Sequence, residues 1–263
     1  MMIALTEKDR RNYSRGHSIL DRLKAEPFNQ NTERLLANHP YLKAAEKELL
    51  TMGQRKAFAQ EQYFIQLSDA KSFARLSGHS DFNPTSLSNV QTPEPKITPS
   101  DGSIDLFQFL LGGEIYASTL LLDYAKGVGL TENDLCTYKP LGKAQRYPSY
   151  WSQLALSDNR AAGAAACAVN FPAWGEMCRR LFEALKKSEF NSGYNNSGDE
   201  VDVRLAFVNF FATPIDDLDQ MAAAIIEGED VKYEDLVEHV KRLQEYEVMF
   251  WDSIFETKED VKL

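Results

Sequence analysis

The sequence predicts an all-α fold in a single domain. Nearly every long segment carries apolar residues at helical rather than alternating spacing. Residues that cap helices recur between these segments. The 263 residues are 43% hydrophobic, which is enough to fill one sizeable core. We therefore expect about eight to ten helices in one domain over residues 1–263.

The individual helices follow from apolar stripes and capping residues. One long helix is predicted over 55–76, with apolar side chains on more than one side. A second is predicted over 106–128, where glycines mark the end. An alanine-rich helix over 161–169 follows a capping segment, and another helix is predicted to begin with Pro214 at its first position. The last helix is predicted over 233–255.

Two stretches interrupt the helical pattern. Residues 78–104 are rich in proline, serine and asparagine and lack apolar periodicity, which predicts a long surface loop. Residues 192–198 have a similar composition and predict a second loop. Neither stretch changes the composition enough to indicate a second domain.

Charge and cysteine content restrict the function. With 39 acidic and 29 basic residues, a net charge of −10 argues against a surface that binds nucleic acid. Charged residues begin too early for a secretory signal, and no apolar run is long enough to cross a membrane. The three cysteines form no CxxC pair, which suits reduced thiols. We expect a cytoplasmic protein that contacts neither nucleic acid nor membrane.

The sequence gives no reason to expect a cofactor or a metal. The four histidines are scattered and lack the helical pairing with carboxylates that metal sites in helical bundles use. Neither a glycine-rich phosphate loop nor a GxSxG nucleophile motif occurs.

Two carboxylates beside aromatic residues are candidates for chemistry. Glu61 lies two residues before Tyr63, so both can border one cavity only if their helix is buried on several sides. Glu247 shares a helix face with Trp251 and precedes Phe250, and burial among aromatic rings would suit it to act as a general acid. The alternative in both cases is an exposed glutamate beside aromatic residues of the core.

Two further features allow a binding role and a packing role. Tyr147 begins the segment YPSYW, whose rings can stack on a planar ligand or fill a core or subunit interface. Cys167 could act as a nucleophile, but its alanine-rich surroundings favour inert packing.

These segments resemble a known family when they are taken in order. The run HPYL followed by QEQYFI resembles the HPF and QD-x-x-YL signature of the TenA/thiaminase II family. The segment beginning at Tyr147 is similar to its YTxxL helix start, residues 164–174 are similar to its AALLPCxW region, and Glu247 opens a match to its E-x-x-FW ending. The stretches 78–104 and 183–203 interrupt the resemblance as loop insertions.

The resemblance implies a haem-oxygenase-like helical bundle with a central pocket. In the family the pocket holds an aminopyrimidine from thiamin or its breakdown products, and a cysteine assisted by acids and tyrosines hydrolyses a C–N bond. By position, Glu61 matches an aspartate that binds the pyrimidine, Tyr63 and Tyr147 match pocket tyrosines, and Glu247 matches the proton donor. The resemblance also implies a homo-oligomer.

The chain departs from the family at the nucleophile. Asn170 occupies the position of the family cysteine, and Phe211 occupies that of another pocket tyrosine. Trp174 and Phe250 complete the set of predicted substrate-binding side chains, with Tyr147, Asn170 and Phe211. We therefore expect an aminopyrimidine hydrolase that works without the thiol, using Glu247, Glu61 and Tyr63. The alternatives are a binding protein without activity and, less favoured by the histidine positions, an oxygenase on the same fold.

Overall fold

The computed structural model describes residues 13–88, 90–99, 103–187 and 202–257. This part of the chain contains eleven α-helices and no strand, which confirms the all-α prediction. The helices are α1 Ser14–Lys24, α2 Pro27–Ala37, α3 Pro40–Glu46, α4 Met52–Leu76, α5 Leu106–Gly127, α6 Glu132–Thr137, α7 Arg146–Leu156, α8 Arg160–Lys187, α9 Ala206–Ala212, α10 Leu218–Gly228 and α11 Tyr233–Glu256.

Three of the four longest helices follow the sequence prediction closely. Helices α4, α5 and α11 begin and end within three residues of the predicted positions. Helix α8 is much longer than the predicted 161–169, because it continues through Pro172 to Lys187. Pro172 is exposed, so its ring lies on the solvent side of this helix. Two short helices, α3 and α6, raise the number of helices above the expected range.

Two predicted features need correction. The helix expected to start at Pro214 begins at Leu218, because Asp217 adopts a left-handed conformation with φ 60° that ends a turn before the helix. The stretch 183–203 is not loop throughout, since residues 183–187 continue α8 and Val203–Leu205 forms a 3-10 turn. Residues 192–198, predicted as a loop, lie outside the described residues.

A reciprocal cap fixes the start of α4. The Gln54 backbone N–H donates to Thr51 Oγ1 (3.2 Å), and the Thr51 N–H donates to Gln54 Oε1 (3.1 Å). The Gln54 amide nitrogen also donates to the Phe255 carbonyl oxygen near the end of α11 (2.7 Å). The cap therefore sets the positions of α4 and α11 relative to each other.

The helices enclose two hydrophobic clusters. The first contains Phe73, Phe107, Trp151 and the alanine-rich half of α8. The second contains the largest aromatic side chains at the other end of the bundle, among them Tyr41, Phe58, Tyr124, Phe207 and Trp251. Helices α4, α5, α8 and α11 each contribute to both clusters. Burial of this apolar surface is the main stabilising contribution to the bundle.

The contact between α1 and α10 depends on a glycine. A Cβ atom at Gly16 would lie 2.2 Å from the backbone carbonyl oxygen of Ala223, which is closer than real atoms approach. We expect Gly16→Ala to lower the free energy of unfolding by about 1–3 kcal/mol, the usual range for overpacking, as measured by urea denaturation. Gly142→Ala is the matched control, because nothing lies within 4 Å of its added Cβ. Equal stability of the two variants would contradict this packing.

Candidate functional site

A layer of polar side chains separates the two hydrophobic clusters. Four helices each carry one or two buried polar residues at the point where the helix passes from one cluster to the other. We call these residues the interior polar layer: Gln66 and Asp69 on α4, Glu114 on α5, Asn170 on α8 and Glu247 on α11. Polar residues from four helices therefore converge inside the bundle.

The interior polar layer is buried and only partly hydrogen-bonded. Its five side chains are between 2% and 9% exposed. Six of their polar atoms have no hydrogen-bond partner within the described protein: Gln66 Oε1, Asp69 Oδ1, Glu114 Oε2, Glu247 Oε1 and both amide atoms of Asn170. Buried polar atoms are nearly always paired in folded proteins, so an unpaired group of this size makes the layer the candidate site of the described structure.

Asp69 on α4 and Glu114 on α5 interact electrostatically. Burial raises the pKa of Asp69 well above its usual value, and the neighbouring Glu114 raises it further. Burial also raises the pKa of Glu114, and the Gln66 amide opposes this rise. Two carboxyl groups in this position disfavour simultaneous ionisation, so they titrate as a pair that retains a proton.

Glu247 is the carboxyl group of the layer on α11. Burial raises its pKa from the usual 4.5 to about 8, and the Trp251 indole on the next turn opposes this only in part. The side chain is therefore protonated over most of the neutral range. A buried carboxylic acid with a free oxygen can donate a proton to a reacting group.

Tyr147 and Cys167 adjoin the layer. Burial raises the pKa of the Tyr147 phenol, and nearby Asp69, Glu247 and Cys167 add to the rise. Tyr147 packs against both hydrophobic clusters and is partly exposed, so it connects the layer with the surface. Burial raises the pKa of the Cys167 thiol well above its usual value, as do Asp69 and Glu114. A thiol in this environment stays protonated and is a poor nucleophile.

Aromatic rings line the α11 side of the layer. The Trp174 ring centroid lies 5.8 Å from that of Phe211, 6.1 Å from that of Phe250 and 5.4 Å from that of Trp251. The structure thus brings together three of the predicted substrate-binding residues, Trp174, Phe211 and Phe250. Trp174 lies one turn beyond Asn170 on the same face of α8.

Glu61 is placed differently from Glu247. Its carboxylate accepts hydrogen bonds from the Tyr138 hydroxyl (2.8 Å), the Leu141 backbone N–H (2.8 Å) and the Gln145 side-chain amide (2.6 Å). Burial raises the pKa of Glu61, and these three donors oppose the rise. The carboxylate therefore fastens the connection between α6 and α7 to α4.

Tyr63 is directed toward the same part of the fold. Its hydroxyl lies 2.9 Å from Cys136 Sγ at the end of α6. Burial raises the pKa of this phenol, and Cys136 contributes to the rise. Glu61 and Tyr63 thus contact the α6 region, whereas Glu247, Tyr147 and Asn170 belong to the interior polar layer or adjoin it.

Sequence reasoning missed Gln66, Asp69 and Glu114. Glu114 follows Leu110 by four residues and precedes Ser118 by four, so it interrupts the apolar stripe of a predicted helix. Gln66 and Asp69 are three apart and share a face of α4. A polar residue within an apolar helical stripe is the sequence signal that could have identified these three residues.

Other parts of the described structure fit a site less well. No group of three or more metal-binding side chains occurs within the described ranges. A surface cleft of about 270 Å³ is lined by side chains from 97–99, 103–106 and α10, with Arg160 and Glu229, and its one basic residue, Arg160, already forms an ion pair with Asp105. No helix in the described part is both long and apolar enough to cross a lipid bilayer.

Solved structures with low sequence identity share this architecture. A TenA homologue from P. horikoshii OT3 has a TM-score of 0.61 and 13% identity, covering 91% of this chain and 99% of that chain. A domain of unknown function with a heme oxygenase-like fold from Shewanella denitrificans OS217 has a TM-score of 0.58 and 11% identity, covering 87% and 89%. A TenA homologue from Pseudomonas syringae pv. tomato DC3000 has a TM-score of 0.58 and 13% identity, covering 92% of each chain.

These similarities define the class: an all-α protein with a haem-oxygenase-like fold. The sequence model of the TENA/THI-4/PQQC family matches residues 28–257. The chain belongs to that family, as the resemblance in the sequence predicted. No curated protein matches the chain.

The electrostatics of Glu247 predict how stability depends on pH. Between pH 4.5 and about 8, the folded protein keeps a proton on Glu247 that the unfolded chain has lost, so this side chain lowers stability as pH rises. Glu247→Gln removes that dependence. We expect the unfolding free energy of the variant minus that of wild type to be larger at pH 8 than at pH 5, by on the order of 2–4 kcal/mol. Urea denaturation of both proteins at the two pH values measures this change. The same variant-minus-wild-type difference at pH 5 and pH 8 would contradict burial of an acid here.

Proposed function

We propose that the protein hydrolyses a C–N bond in an aminopyrimidine related to thiamin or its breakdown products, without a cysteine nucleophile. The observation that carries the proposal is the position of Glu247, buried inside the bundle with Oε1 unpaired, where burial raises its pKa to about 8. Membership of the TENA/THI-4/PQQC family supports the choice of substrate class.

Asn170 supplies the contacts that an aminopyrimidine needs. Its side-chain oxygen can accept from the exocyclic amino group while its nitrogen donates to the adjacent ring nitrogen, as asparagine does with adenine. Both atoms are unpaired and buried in the structure. The rings of Trp174 and Phe250 provide apolar surface for the ring of the ligand.

The proposed reaction uses Glu247 as general acid. A water molecule attacks the carbon and forms the C–O bond, the C–N bond breaks, and the leaving nitrogen takes the Glu247 proton. The proton that the water loses restores Glu247. Tyr147, whose pKa is raised in part by the Glu247 charge, is the residue proposed to orient the water or the substrate.

The assay is incubation of the purified protein with aminomethyl pyrimidine, formylaminomethyl pyrimidine and thiamin, followed by quantification of products. We expect turnover of at least one compound and its loss in Glu247→Gln. Turnover of none would refute the proposed function.

Glu61 and Tyr63, which the sequence analysis expected to take part in the hydrolysis directly, have a positioning role in the proposed reaction. Glu61 holds the 138–145 connection just before α7, which carries Tyr147, so we propose that it positions Tyr147 through that connection. Tyr63 supports the same region through its contact with Cys136.

A second candidate is a binding protein without hydrolytic activity. It is favoured by Asn170 at the position of the family cysteine and by the buried, protonated thiol of Cys167. This candidate predicts a ligand that co-purifies with the protein, detectable by mass spectrometry after denaturation, and no product.

We also propose that the protein forms a homo-oligomer and that it is cytoplasmic. Three free cysteines suit a reducing compartment, and Phe109 and Tyr116 expose 40% and 57% of their surface along α5, where a second copy could cover them. Light scattering of the purified protein tests the assembly, and a monomer would contradict it.

A further inference from the structure

The carboxyl pair Asp69 and Glu114 has no task in the proposed hydrolysis. Asp69 is 4% exposed and Glu114 is 9% exposed, and each has an oxygen without a hydrogen-bond partner in the described protein. Helices α4 and α5 pack along each other and bring the two side chains within electrostatic range. Burying two carboxyl groups together is costly, so the arrangement calls for a compensating partner.

The groups that face the pair are neutral or acidic. Tyr147 from α7 and Cys167 from α8 interact with it, and Glu247 from α11 reaches Tyr147 from the other side. Among the described residues, no lysine or arginine contributes to the pKa shifts of Asp69, Glu114 or Glu247. A positive charge beside the pair would therefore be attracted by up to three carboxyl groups and opposed by no cation.

A second observation concerns the unpaired polar atoms beside the pair. Asn170 is 2% exposed and both of its amide atoms are unpaired. It lies one turn after Cys167 on the face of α8 that Asp69 and Glu114 influence. Gln66 Oε1, also buried and unpaired, adds an acceptor beside Glu114. Donors and acceptors without partners thus border the acidic pair.

We propose that Asp69 and Glu114 anchor the positively charged nitrogen group of the ligand, an amidinium or a protonated amino-heterocycle. The cation replaces protons that the two carboxyl groups hold in the ligand-free protein, because burial raises the pKa of both groups. The bound pair is ionised against the cation, and the protons that it loses pass to solvent. This inference deepens the proposed function by assigning charge to the substrate, but its test requires no turnover.

The test uses benzamidinium as a planar cation and benzamide as its neutral counterpart. Both are titrated calorimetrically into the full-length protein at pH 7, in phosphate and in Tris, whose ionisation enthalpies differ. We expect benzamidinium to bind at least about tenfold tighter than benzamide, with heats that differ between the two buffers because binding releases protons. No binding of benzamidinium, equal affinities, or equal heats in the two buffers would overturn the inference.

Isosteric variants assign the effect to the pair. Asp69→Asn and Glu114→Gln should each weaken benzamidinium binding about tenfold or more and reduce proton release, while leaving benzamide binding unchanged. Each replaces a buried ionisable group and keeps the side-chain shape, so thermal melts should show folded proteins. Asp81→Asn and Glu183→Gln, at exposed positions, are the controls and should behave as wild type. Retention of the cation preference in both pair variants would overturn the inference.

The outcomes separate the inference from the proposed function. A protein that hydrolyses an aminopyrimidine but shows no preference for benzamidinium overturns the cation anchor alone. A protein that binds benzamidinium through Asp69 and Glu114 but turns over no aminopyrimidine overturns the proposed function alone.

Discussion

Replacing Glu247 by glutamine should lower kcat for the aminopyrimidine substrate by about 10²–10⁴-fold, the usual contribution of a positioned general acid. KM should change little, because glutamine keeps the shape and can still donate a hydrogen bond. The loss of kcat is expected because Glu247 is the one buried carboxyl group on α11, so no other residue of this helix can donate the proton. Steady-state kinetics at pH 7 measure the effect.

Glu245→Gln is the matched control, because this glutamate lies on α11 two residues earlier and is exposed. It should keep wild-type kcat. The wild-type rate should also fall as pH rises past about 8, where Glu247 loses its proton. Equal rates for the two variants would show that Glu247 is not the acid.

Replacing Glu61 by alanine should destabilise the fold by about 3–5 kcal/mol, because three donors lose a buried charged acceptor at once. The Leu141 backbone N–H, which is partly buried, would lose its acceptor, and the connection that leads into α7 would loosen. Urea denaturation measures the loss. Glu183→Ala, at an exposed position on α8, is the control and should change stability by less than about 0.5 kcal/mol.

Glu61→Gln separates structure from chemistry at this position. Glutamine keeps one acceptor for Tyr138 and Leu141, and the Gln145 amide can rotate to accept from the new amide nitrogen. We expect most of the stability and most of the activity to remain. A stable Glu61→Gln protein without activity would show that the ionised carboxylate itself takes part in the reaction.

The sequence was most informative about three of the four longest helices. Helices α4, α5 and α11 have apolar residues on wide faces and recognisable starts or ends, so their positions follow from local rules. The start of α10 does not, because a left-handed Asp217 displaces it by four residues from Pro214. Proline favours the first position of a helix, but here the turn at residues 216–217 follows Pro214 and the helix begins only after that turn.

The site was only partly predictable, for a geometric reason. Glu61 and Glu247 both lie beside aromatic residues in sequence, but a side chain's direction depends on how its helix is rotated in the bundle. That rotation directs Glu61 to the α6–α7 connection and Asp69, two turns later, to the interior. Pairing between Asp69 and Glu114 is a tertiary contact that no local pattern contains. Asn170 was found because a motif placed it, and its two unpaired amide atoms became visible only in the structure.

A crystal structure with aminomethyl pyrimidine bound is the most direct test that the interior polar layer is the functional site. We expect the pyrimidine ring to form hydrogen bonds with Asn170 and the aminomethyl nitrogen to lie within reach of Glu247. A ligand bound instead in the surface cleft beside Arg160, with the layer unchanged, would contradict it.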